Sequence, residues 1–364
     1  MSNEWGRHFQ LSIFGESHGP AIGIVLSGLP AGFALDLDAI AFELSRRAPG
    51  RSNLSTPRRE EDFPEILSGF FEGKTTGAPL CAILRNRDTR SRDYSLLRDL
   101  PRPGHADYTA QMRYCGFQDY RGGGHFSGRI TAPLVFAGAV AKQILRAQGI
   151  EISARIASIR GIHDAPLDPL RLSDEARAAL CARELPTIDP EAAEKMREAI
   201  LCAKREGDSV GGVIECWATG VPAGTGNPFF DSLESDLAHV LFSIPAIKGV
   251  EFGLGFEAAE RLGSEVNDAF CLKDGEIACE TNFSGGIQGG IANGMPLLFR
   301  VAVRPTPSIA KKQKTVSLSR KEETEISVPG RHDPCIVPRA VPVVEAACAI
   351  VLYDQLKEVL SCRI

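Results

Sequence analysis

Two stretches of the chain are alike, and together they decide the fold. Residues 15–32 read GESHGPAIGIVLSGLPAG and residues 207–224 read GDSVGGVIECWATGVPAG, with eight of the 18 aligned positions identical. Later, GKTTGAPL at residues 73–80 resembles GIANGMPL at residues 290–297. Chance matching of Gly and Pro is the alternative explanation. A repeated pattern of this kind favours an internal duplication, in which two similar α/β halves pack around one core.

Strand and helix patterns recur along the chain. Alternating apolar and polar residues predict a strand at residues 9–14, and a second strand follows at 21–26. Asp38 and Asp231 each begin a helical pattern after one copy of the repeat. Capping residues and apolar runs predict the main helices at residues 38–47, 133–147, 191–205 and 342–360. We therefore predict one domain over residues 1–364, with two similar halves and a helical connection at about 1–150, 205–364 and 160–206.

Composition limits the class of protein. The chain has 364 residues, of which 43% are hydrophobic and 24% charged, as is typical of a soluble globular protein. No stretch approaches the roughly 18 apolar residues of a membrane span, and no signal peptide is evident. Ten cysteines without a CxxC pair predict reduced thiols in a cytoplasmic protein and no metal site. A net charge of −5 argues against nucleic acid as a partner.

Three short loops carry residues suited to acid–base chemistry. They read GESHG at residues 15–19, RPGHAD at 102–107 and GRHDPC at 330–335. Each places His or Asp beside Gly or Pro, which is typical of turns held on a scaffold. Histidine has the side-chain pKa nearest neutrality, so His18 and His105 are candidate acids or bases, with Asp107 placed to orient the ring of His105. Taken singly, either histidine could instead be structural.

Glycine-rich and arginine-rich stretches are candidate anion sites. RGGGHFSGR at residues 121–129 and GGIQGG at 285–290 allow backbone N–H groups to approach a phosphate or a flat ring. Neither has the spacing of a P-loop, so a nucleoside triphosphate site is not indicated. RPTPS at residues 304–308 is either a phosphate clamp or a Pro-rich turn. An arginine cluster suits a loop around an anion, with a solvated basic face as the alternative, and comprises Arg46, Arg47, Arg51, Arg58 and Arg59.

Taken in order, these motifs resemble the chorismate synthase family over essentially the whole chain. The motifs that carry the resemblance are GESHG, RPGHAD, RGGG-x-FSGR, GDSVGG, KGVEFG-x-GF, GGIQGGI-x-NG, RPTPSI and GRHDPC-x-x-PRAVPVVEA. The resemblance implies an α/β (α+β) fold, an internally duplicated β-α-β sandwich. It also implies trans-1,4 elimination of phosphate from 5-enolpyruvylshikimate 3-phosphate to chorismate, the last step of the shikimate pathway. Reduced FMN is required, without net redox change.

The resemblance further implies a homotetramer and, because no appended reductase domain is evident, a separate flavin reductase. NADPH is then only a possible source of the reduction. Two other functions stay open on the residues alone. A flavin oxidoreductase with net hydride transfer would consume NADPH in proportion to substrate. A non-catalytic anion-binding or assembly protein would have no turnover to lose when His18 or His105 is replaced.

Matching positions carry the family's site residues onto this chain. His18 matches the histidine that protonates the departing phosphate, His105 the one near the flavin pyrimidine edge, and Asp333 the carboxylate implicated in proton removal through flavin N5. Family flavin contacts match His125, Phe126, Ser127, Gly289, Arg304, Pro305, Thr306, Pro307, Ser308 and Arg331. Contacts to substrate or pyridine nucleotide are expected from Arg47, Arg51, Arg58 and Arg129.

Three positions depart from the family pattern. Arg304 stands where most members have Lys, which keeps the charge and changes the geometry. Asn53 stands where many members have a second arginine, and Arg51 is the candidate substitute. Ile130 stands where the family has Glu.

Overall fold

The computed structural model describes residues 3–50, 54–55, 62–87, 96–273, 275–328 and 332–362, and side chains up to residue 359. Its strands are β1 (Glu4–Trp5), β2 (Gln10–Gly15), β3 (Ala21–Ser27), β4 (Glu65–Ser68), β5 (Phe70–Phe71), β6 (Lys74–Thr75), β7 (Leu80–Arg85), β8 (Glu151–Ile159), β9 (Ile162–His163), β10 (Gly212–Thr219), β11 (Ile247–Phe252), β12 (Phe270–Lys273), β13 (Glu276–Cys279), β14 (Ile287–Gln288), β15 (Ile291–Ala292), β16 (Leu297–Val303), β17 (Gln313–Ser317) and β18 (Glu322–Ile326). Its helices are α1 (Leu37–Arg47), α2 (Asp107–Arg113), α3 (Thr131–Arg146), α4 (Asp174–Ala182), α5 (Pro190–Arg205), α6 (Leu233–Ser243), α7 (Gly263–Val266) and α8 (Val337–Cys362).

Two five-stranded antiparallel sheets form the outer layers. The first has the strand order β1-β2-β3-β7-β4, and the second has the order β11-β16-β10-β8-β9. Both central strand pairs have apolar residues at their buried positions, as an apolar face against a core requires. The two strands predicted at the start of the chain are found as β2 and β3.

The two sheets share their strand pairing register. Leu26 pairs with Leu80 in the first sheet, and Ala218 pairs with Leu297 in the second, at equivalent positions of the two repeated motifs. Isolated bridges also correspond, because Ala34 pairs with Lys74 and Gly226 pairs with Ile291. The division into duplicated halves stays a prediction. If it holds, the second half begins at β8 rather than at residue 205, since β8 is part of the second sheet.

The helices lie between the sheets. Helix α3 packs on β3 and β7 of the first sheet, α8 packs on β8 and β10 of the second, and the two helices pack along each other. Every residue of α8 from 341 to 356 is buried. Gly138 of α3 permits this contact, because a Cβ atom there would lie 2.2 Å from Cβ of Ala346. The arrangement confirms the predicted α/β (α+β) class and its β-α-β layering.

A charged cluster is enclosed in this helical layer. Glu345 of α8 is fully buried and accepts hydrogen bonds from Arg46 of α1 at 2.9 Å, from Lys142 of α3, and from the backbone N–H of Ala154 at 3.0 Å. Burial raises the pKa of Glu345, but the charges of Arg46 and Lys142 lower it more, to about 2. The carboxylate therefore joins three helices and the second sheet.

Helix boundaries differ from the sequence analysis in three places. Asp36 rather than Asp38 caps α1, since its side chain accepts from the backbone N–H of Ala39 at 3.0 Å. Ser232 rather than Asp231 caps α6 in the same way. Helix α8 begins at Val337 and contains Pro342, which the sequence analysis placed at the helix start. Among the described residues, no helix is long and apolar enough to cross a bilayer.

Candidate active site

Three consecutive glycines lie between the two candidate histidines. Gly122, Gly123 and Gly124 have φ of 60°, 83° and 53°, in the left-handed region that glycine adopts without strain. A Cβ atom on Gly122 would lie 2.3 Å from Cδ2 of His18, and one on Gly123 would lie 3.1 Å from Cε1 of His105. Adjacent Cα atoms are about 3.8 Å apart, so the two imidazoles flank one short piece of backbone. The predicted pair is therefore brought together.

The same loop holds His18 in place. The backbone N–H of Ser17 donates to the carbonyl of Gly124 at 3.1 Å, and Nδ1 of His125 lies 2.8 Å from the carbonyl of Gly15. A carbonyl only accepts, so Nδ1 of His125 carries the proton and donates it. His18 itself is 7% exposed. In this structure His125 ties the loop that bears His18 to the glycine loop.

His105 belongs to a hydrogen-bonded group with an acid and an arginine. Its Nδ1 lies 2.8 Å from Oδ1 of Asp107 and 3.0 Å from Nη2 of Arg102. Arg102 donates to both carboxylate oxygens of Asp107, from Nη2 at 2.7 Å and from Nε at 2.8 Å. Burial raises the pKa of Asp107, but hydrogen bonds from Arg102 and His105 lower it well below its usual range. Sequence reasoning anticipated Asp107 and missed Arg102, although Arg102 opens the same RPGHAD motif.

The second half of the chain completes this group. Arg304 follows β16 and donates from Nη1 to the carbonyl of Gly104 at 2.8 Å. The buried hydroxyl of Ser308 accepts from Nη1 of Arg102 at 3.0 Å. Within the described residues, the buried Oγ1 of Thr306 has no hydrogen-bond partner. The RPTPS segment therefore lies against the RPGHAD loop, as a phosphate clamp or a turn would.

Two of the predicted arginines share a buried aspartate. Arg47 donates from Nη2 at 2.6 Å to one carboxylate oxygen of Asp62, and Arg129 donates from Nη1 to the other. Burial raises the pKa of Asp62, but the two guanidiniums lower it more. Burial, with the charges of Arg339 and Arg129, lowers the pKa of Arg47 to about 10 despite the opposing effect of Asp62. Asp62, a counter-charge within the protein, was missed because it lies in an ordinary acidic run.

A further set of contacts joins Arg47 and Arg129 to Asp333 and to the loop that bears His18. Asn86 accepts from Nε of Arg129 at 3.1 Å and donates to the carbonyls of Glu16 and Gly19 at 2.9 Å each. Arg339 of α8 donates to Oδ2 of Asp333, and its Nε donates to the carbonyl of Arg47 at 2.9 Å. Asp333, His18 and the arginines are thus parts of one connected site.

The remaining predicted residues are placed as follows. Gly289 is not brought to this site, because its hairpin packs at the start of α6, where the N–H of Leu233 donates to Gly290 at 3.0 Å. That hairpin and Arg304 lie at opposite ends of β16. Phe126 is 37% exposed and packs beside Tyr114, with ring centroids 6.2 Å apart. Ser127 caps the turn that leads to Arg129. Pro305 and Pro307 lie within the RPTPS segment, while outside the described residues lie Arg51, Asn53, Arg58, Arg59 and Arg331.

Known proteins with this sequence pattern are chorismate synthases. A model of the family "Chorismate synthase" matches residues 9–356. The chain is 47% identical to the chorismate synthase of Methanobrevibacter smithii over 98% of this chain and 96% of that protein. It is 49% identical to the one from Pyrococcus abyssi over 96% of each. A crystal structure of chorismate synthase, 33% identical, superimposes with a TM-score of 0.75 over 98% of this chain and 94% of the other.

The fold is that of an α+β enzyme, and its candidate active site is assembled from loops of both sheets. Histidines and a carboxylate are grouped there with several guanidiniums, as proton transfer on an anionic molecule requires. The chain belongs to the chorismate synthase family. It is therefore an enzyme of the biosynthesis of chorismate and aromatic amino acids.

Proposed function

We propose that this chain catalyses trans-1,4 elimination of phosphate from 5-enolpyruvylshikimate 3-phosphate, giving chorismate with the aid of reduced FMN and without net redox change. This is a carbon–oxygen lyase reaction. The observation that carries the proposal is the glycine loop with His18 on one side and His105 on the other, next to the RPTPS segment. Family membership gives the reaction, and this geometry supports its assignment to these residues.

The charges of the site fit a substrate with two carboxylates and a phosphate. Arg304 retains donor capacity beyond its bond to the carbonyl of Gly104, because a guanidinium has five N–H groups, and Arg129 is proposed as a second cation beside the substrate. Arg47 is only 2% exposed and is paired with Asp62, so we assign it to holding the arginine group rather than to free capture of substrate. Arg51 and Arg58 are proposed as further anion contacts on the resemblance alone.

The residues also fit a flavin. Gly122 and Gly123 present backbone without side chains beside His18 and His105, which a flat ring can approach closely, and the buried hydroxyl of Thr306 offers a hydrogen bond that no described residue takes up. Arg304, Thr306 and Ser308 would hold the polar parts of FMN, together with the family positions His125, Phe126, Ser127, Pro305, Pro307 and Arg331. Gly289 is included on the resemblance only. Reduced FMN, when bound, supplies electron density to the reaction and recovers it.

Three side chains would handle protons. His18, enclosed by Gly122 and Ser17, is proposed to protonate the departing phosphate. His105 keeps its Nδ1 directed at Asp107 and Arg102, so its Nε2 is the atom available to a ligand. Asp333 is proposed to assist proton removal from the substrate. A site closed around its ligands would exclude water and so strengthen each of these contacts.

Partners and assembly follow the family. We propose a cytoplasmic homotetramer that depends on a separate flavin reductase, with NADPH only as a possible source of reduction. An exposed apolar hairpin supports an assembly, because Leu272 and Ile277 face each other across β12 and β13 at 79% and 75% exposure, beside Phe270 at 68%. Apolar patches of this kind mark protein contacts more often than they remain in water.

An anaerobic assay tests the function. Purified protein is mixed with 5-enolpyruvylshikimate 3-phosphate and photoreduced FMN, and phosphate and chorismate are measured. We expect both products in equal amounts, with many turnovers per flavin and no NADPH consumption. Phosphate release that requires one NADPH per turnover would favour the flavin oxidoreductase instead. No product with photoreduced FMN would refute the proposal.

A further inference from the structure

Arg339 contacts the site from a rigid element and has no role in the reaction as described so far. It lies in the first turn of α8, two residues before the continuously buried part of that helix begins at Val341. Its guanidinium is engaged in two directions. Nη1 donates to Oδ2 of Asp333, and Nε donates to the carbonyl of Arg47 at 2.9 Å.

These two bonds fix the plane of the guanidinium. Asp333 belongs to the loop before α8, and its side chain is 10% exposed, while that of Arg339 is 22% exposed. Arg47 ends α1, and α1 is itself held to α8 through Arg46 and Glu345. The guanidinium therefore links the carboxylate of a loop residue to two packed helices. A carboxylate held in this way keeps one orientation, which a loop alone would not impose.

We infer that Arg339 is the positioning residue of Asp333: it orients the carboxylate for proton removal from the substrate. The inference rests on the proposed function, because it assigns Arg339 a role through Asp333. The guanidinium does not transfer a proton itself, since it stays protonated in proteins.

The neighbouring cavity offers a specific way to test this role. A cavity of about 130 Å³ borders Arg339 and is lined also by Arg46, Leu54, Cys335, Pro338 and Pro342. Truncating Arg339 to Ala would enlarge it at the place where the guanidinium was. A small guanidinium ion added to the solution can then occupy that place, because the space left by the side chain adds to a cavity that already exceeds the volume of a water molecule.

The experiment measures kcat and KM of Arg339→Ala, Arg339→Lys and Asp333→Asn with photoreduced FMN, with and without millimolar ethylguanidinium. We expect Arg339→Ala to lower kcat roughly 10- to 100-fold with KM changed less than about threefold, as a misplaced catalytic group does. Ethylguanidinium should restore a large part of kcat in Arg339→Ala and none in Asp333→Asn. The kcat of Arg339→Lys should lie between those of the wild type and Arg339→Ala, because lysine keeps the charge but lacks the planar guanidinium that donates to both Asp333 and Arg47.

A double variant and a control separate the possible outcomes. Arg339→Ala should add little to the loss already caused by Asp333→Asn, since both remove the same function. Arg300→Ala is the control, because Arg300 forms an ion pair with Glu251 at 2.9 Å on the second sheet, where its side chain is 34% exposed. Thermal unfolding of each variant checks folding, and Arg339→Lys serves if Arg339→Ala does not fold.

The inference and the proposed function can fail separately. A wild-type protein without turnover overturns the proposed function and the inference with it. If Asp333→Asn has a lowered kcat while Arg339→Ala keeps the wild-type kcat, the inference is overturned and the proposed function is not. Additive losses in the double variant, or a change in Arg339→Ala confined to KM, would likewise show that Arg339 does not act through Asp333.

Discussion

At the scale of single residues, the two histidines depend on glycines that cannot be replaced without moving them. Gly122 and Gly123 approach His18 and His105 so closely that a methyl group on Gly122 would overlap the ring of His18. The surrounding bonds leave His18 little room to retreat, because its loop is tied to Gly124 through Ser17 and to Arg129 through Asn86. The glycine loop therefore contributes by fixing the positions of the two imidazole rings rather than by changing their chemistry.

Replacing either histidine should slow the reaction while the fold survives. We expect His18→Ala and His105→Ala to lower kcat by roughly 10² to 10⁴, the range for general acid–base groups, measured as anaerobic phosphate release. FMN binding should largely persist in His18→Ala. His163→Ala, at an exposed position on β9, is the control and should match the wild type. If all three variants react at the wild-type rate, neither His18 nor His105 takes part in the mechanism.

Gly122→Ala should lower activity because the new methyl group collides with His18, and backbone strain should contribute little to that loss. The new methyl group would lie 2.3 Å from Cδ2 of His18, so we expect kcat to fall roughly 10- to 100-fold. Gly161→Ala is the matched control, because Gly161 also has positive φ, of 78°, but nothing lies within 4 Å of its added Cβ. Both variants should lose about 1–2 kcal/mol of stability from strain. If Gly161→Ala slows the reaction equally, strain explains the loss.

At the scale of elements, the helical layer is joined by charge as well as by apolar packing. Glu345 on α8 meets Arg46 on α1 and Lys142 on α3, and all three are enclosed. Removing one member leaves uncompensated buried charge, which costs far more than the loss of a surface pair. The pair of Arg146 and Glu151, where the arginine side chain is 64% exposed, offers the comparison on the surface.

Glu345→Gln should destabilise the protein by about 3–5 kcal/mol, whereas Glu151→Gln should change the free energy of unfolding by about 0–1 kcal/mol. The folded-state pKa of Glu345, about 2, is below its ordinary value of 4.5. Its ionised form therefore stabilises the fold above pH 4.5, and that contribution is lost as pH falls toward 2. Chemical unfolding between pH 7 and 3 measures this. A wild type and a Glu345→Gln variant that lose stability in parallel over that range would contradict the assignment.

At the scale of the whole molecule, the elements before residue 150 do not form a complete core by themselves, because the main apolar core includes buried residues from both parts of the chain. Helix α3 of the first half is buried chiefly by α8, which follows every other described element. We therefore expect the separate fragment of residues 1–150 to lack cooperative unfolding and near-ultraviolet circular dichroism. Co-expression with residues 151–364 should restore both. A fragment 1–150 that unfolds cooperatively alone would show that the halves are independent domains.

The sequence predicted what local patterns control and missed what tertiary packing decides. Alternation located β2 and β3, and the paired motifs led to two sheets of equal register. The prediction that α8 starts at Pro342 was wrong, because the helix begins at Val337. Val337 and Pro338 suit a first turn, and packing of the buried face keeps the chain helical through Pro342. Asp62 and Arg339 could not be identified, since Asp62 also pairs with Arg129 and Arg339 with the carbonyl of Arg47, and both of these partners lie far away in the chain.

The location of the site residues shows the same limit. His18, His105 and Arg304 could be proposed from their motifs, and the structure brings their loops together. Gly289 could be proposed in the same way, and the structure places it at the other end of β16. A motif identifies a residue as special without saying which surface it occupies. The roles of these residues stay predictions until the variants are measured.

The order of elements also sets the timing of folding during synthesis on the ribosome. Helix α8 supplies the inner wall against which α1, α3 and α6 pack, and it is translated after all of them. A nascent chain must therefore hold the apolar faces of three helices unpaired until α8 leaves the exit tunnel. Such a chain is a natural client for chaperones that bind apolar segments. A stalled or early-terminated translation product would consequently be removed as misfolded rather than persist as a partly active enzyme.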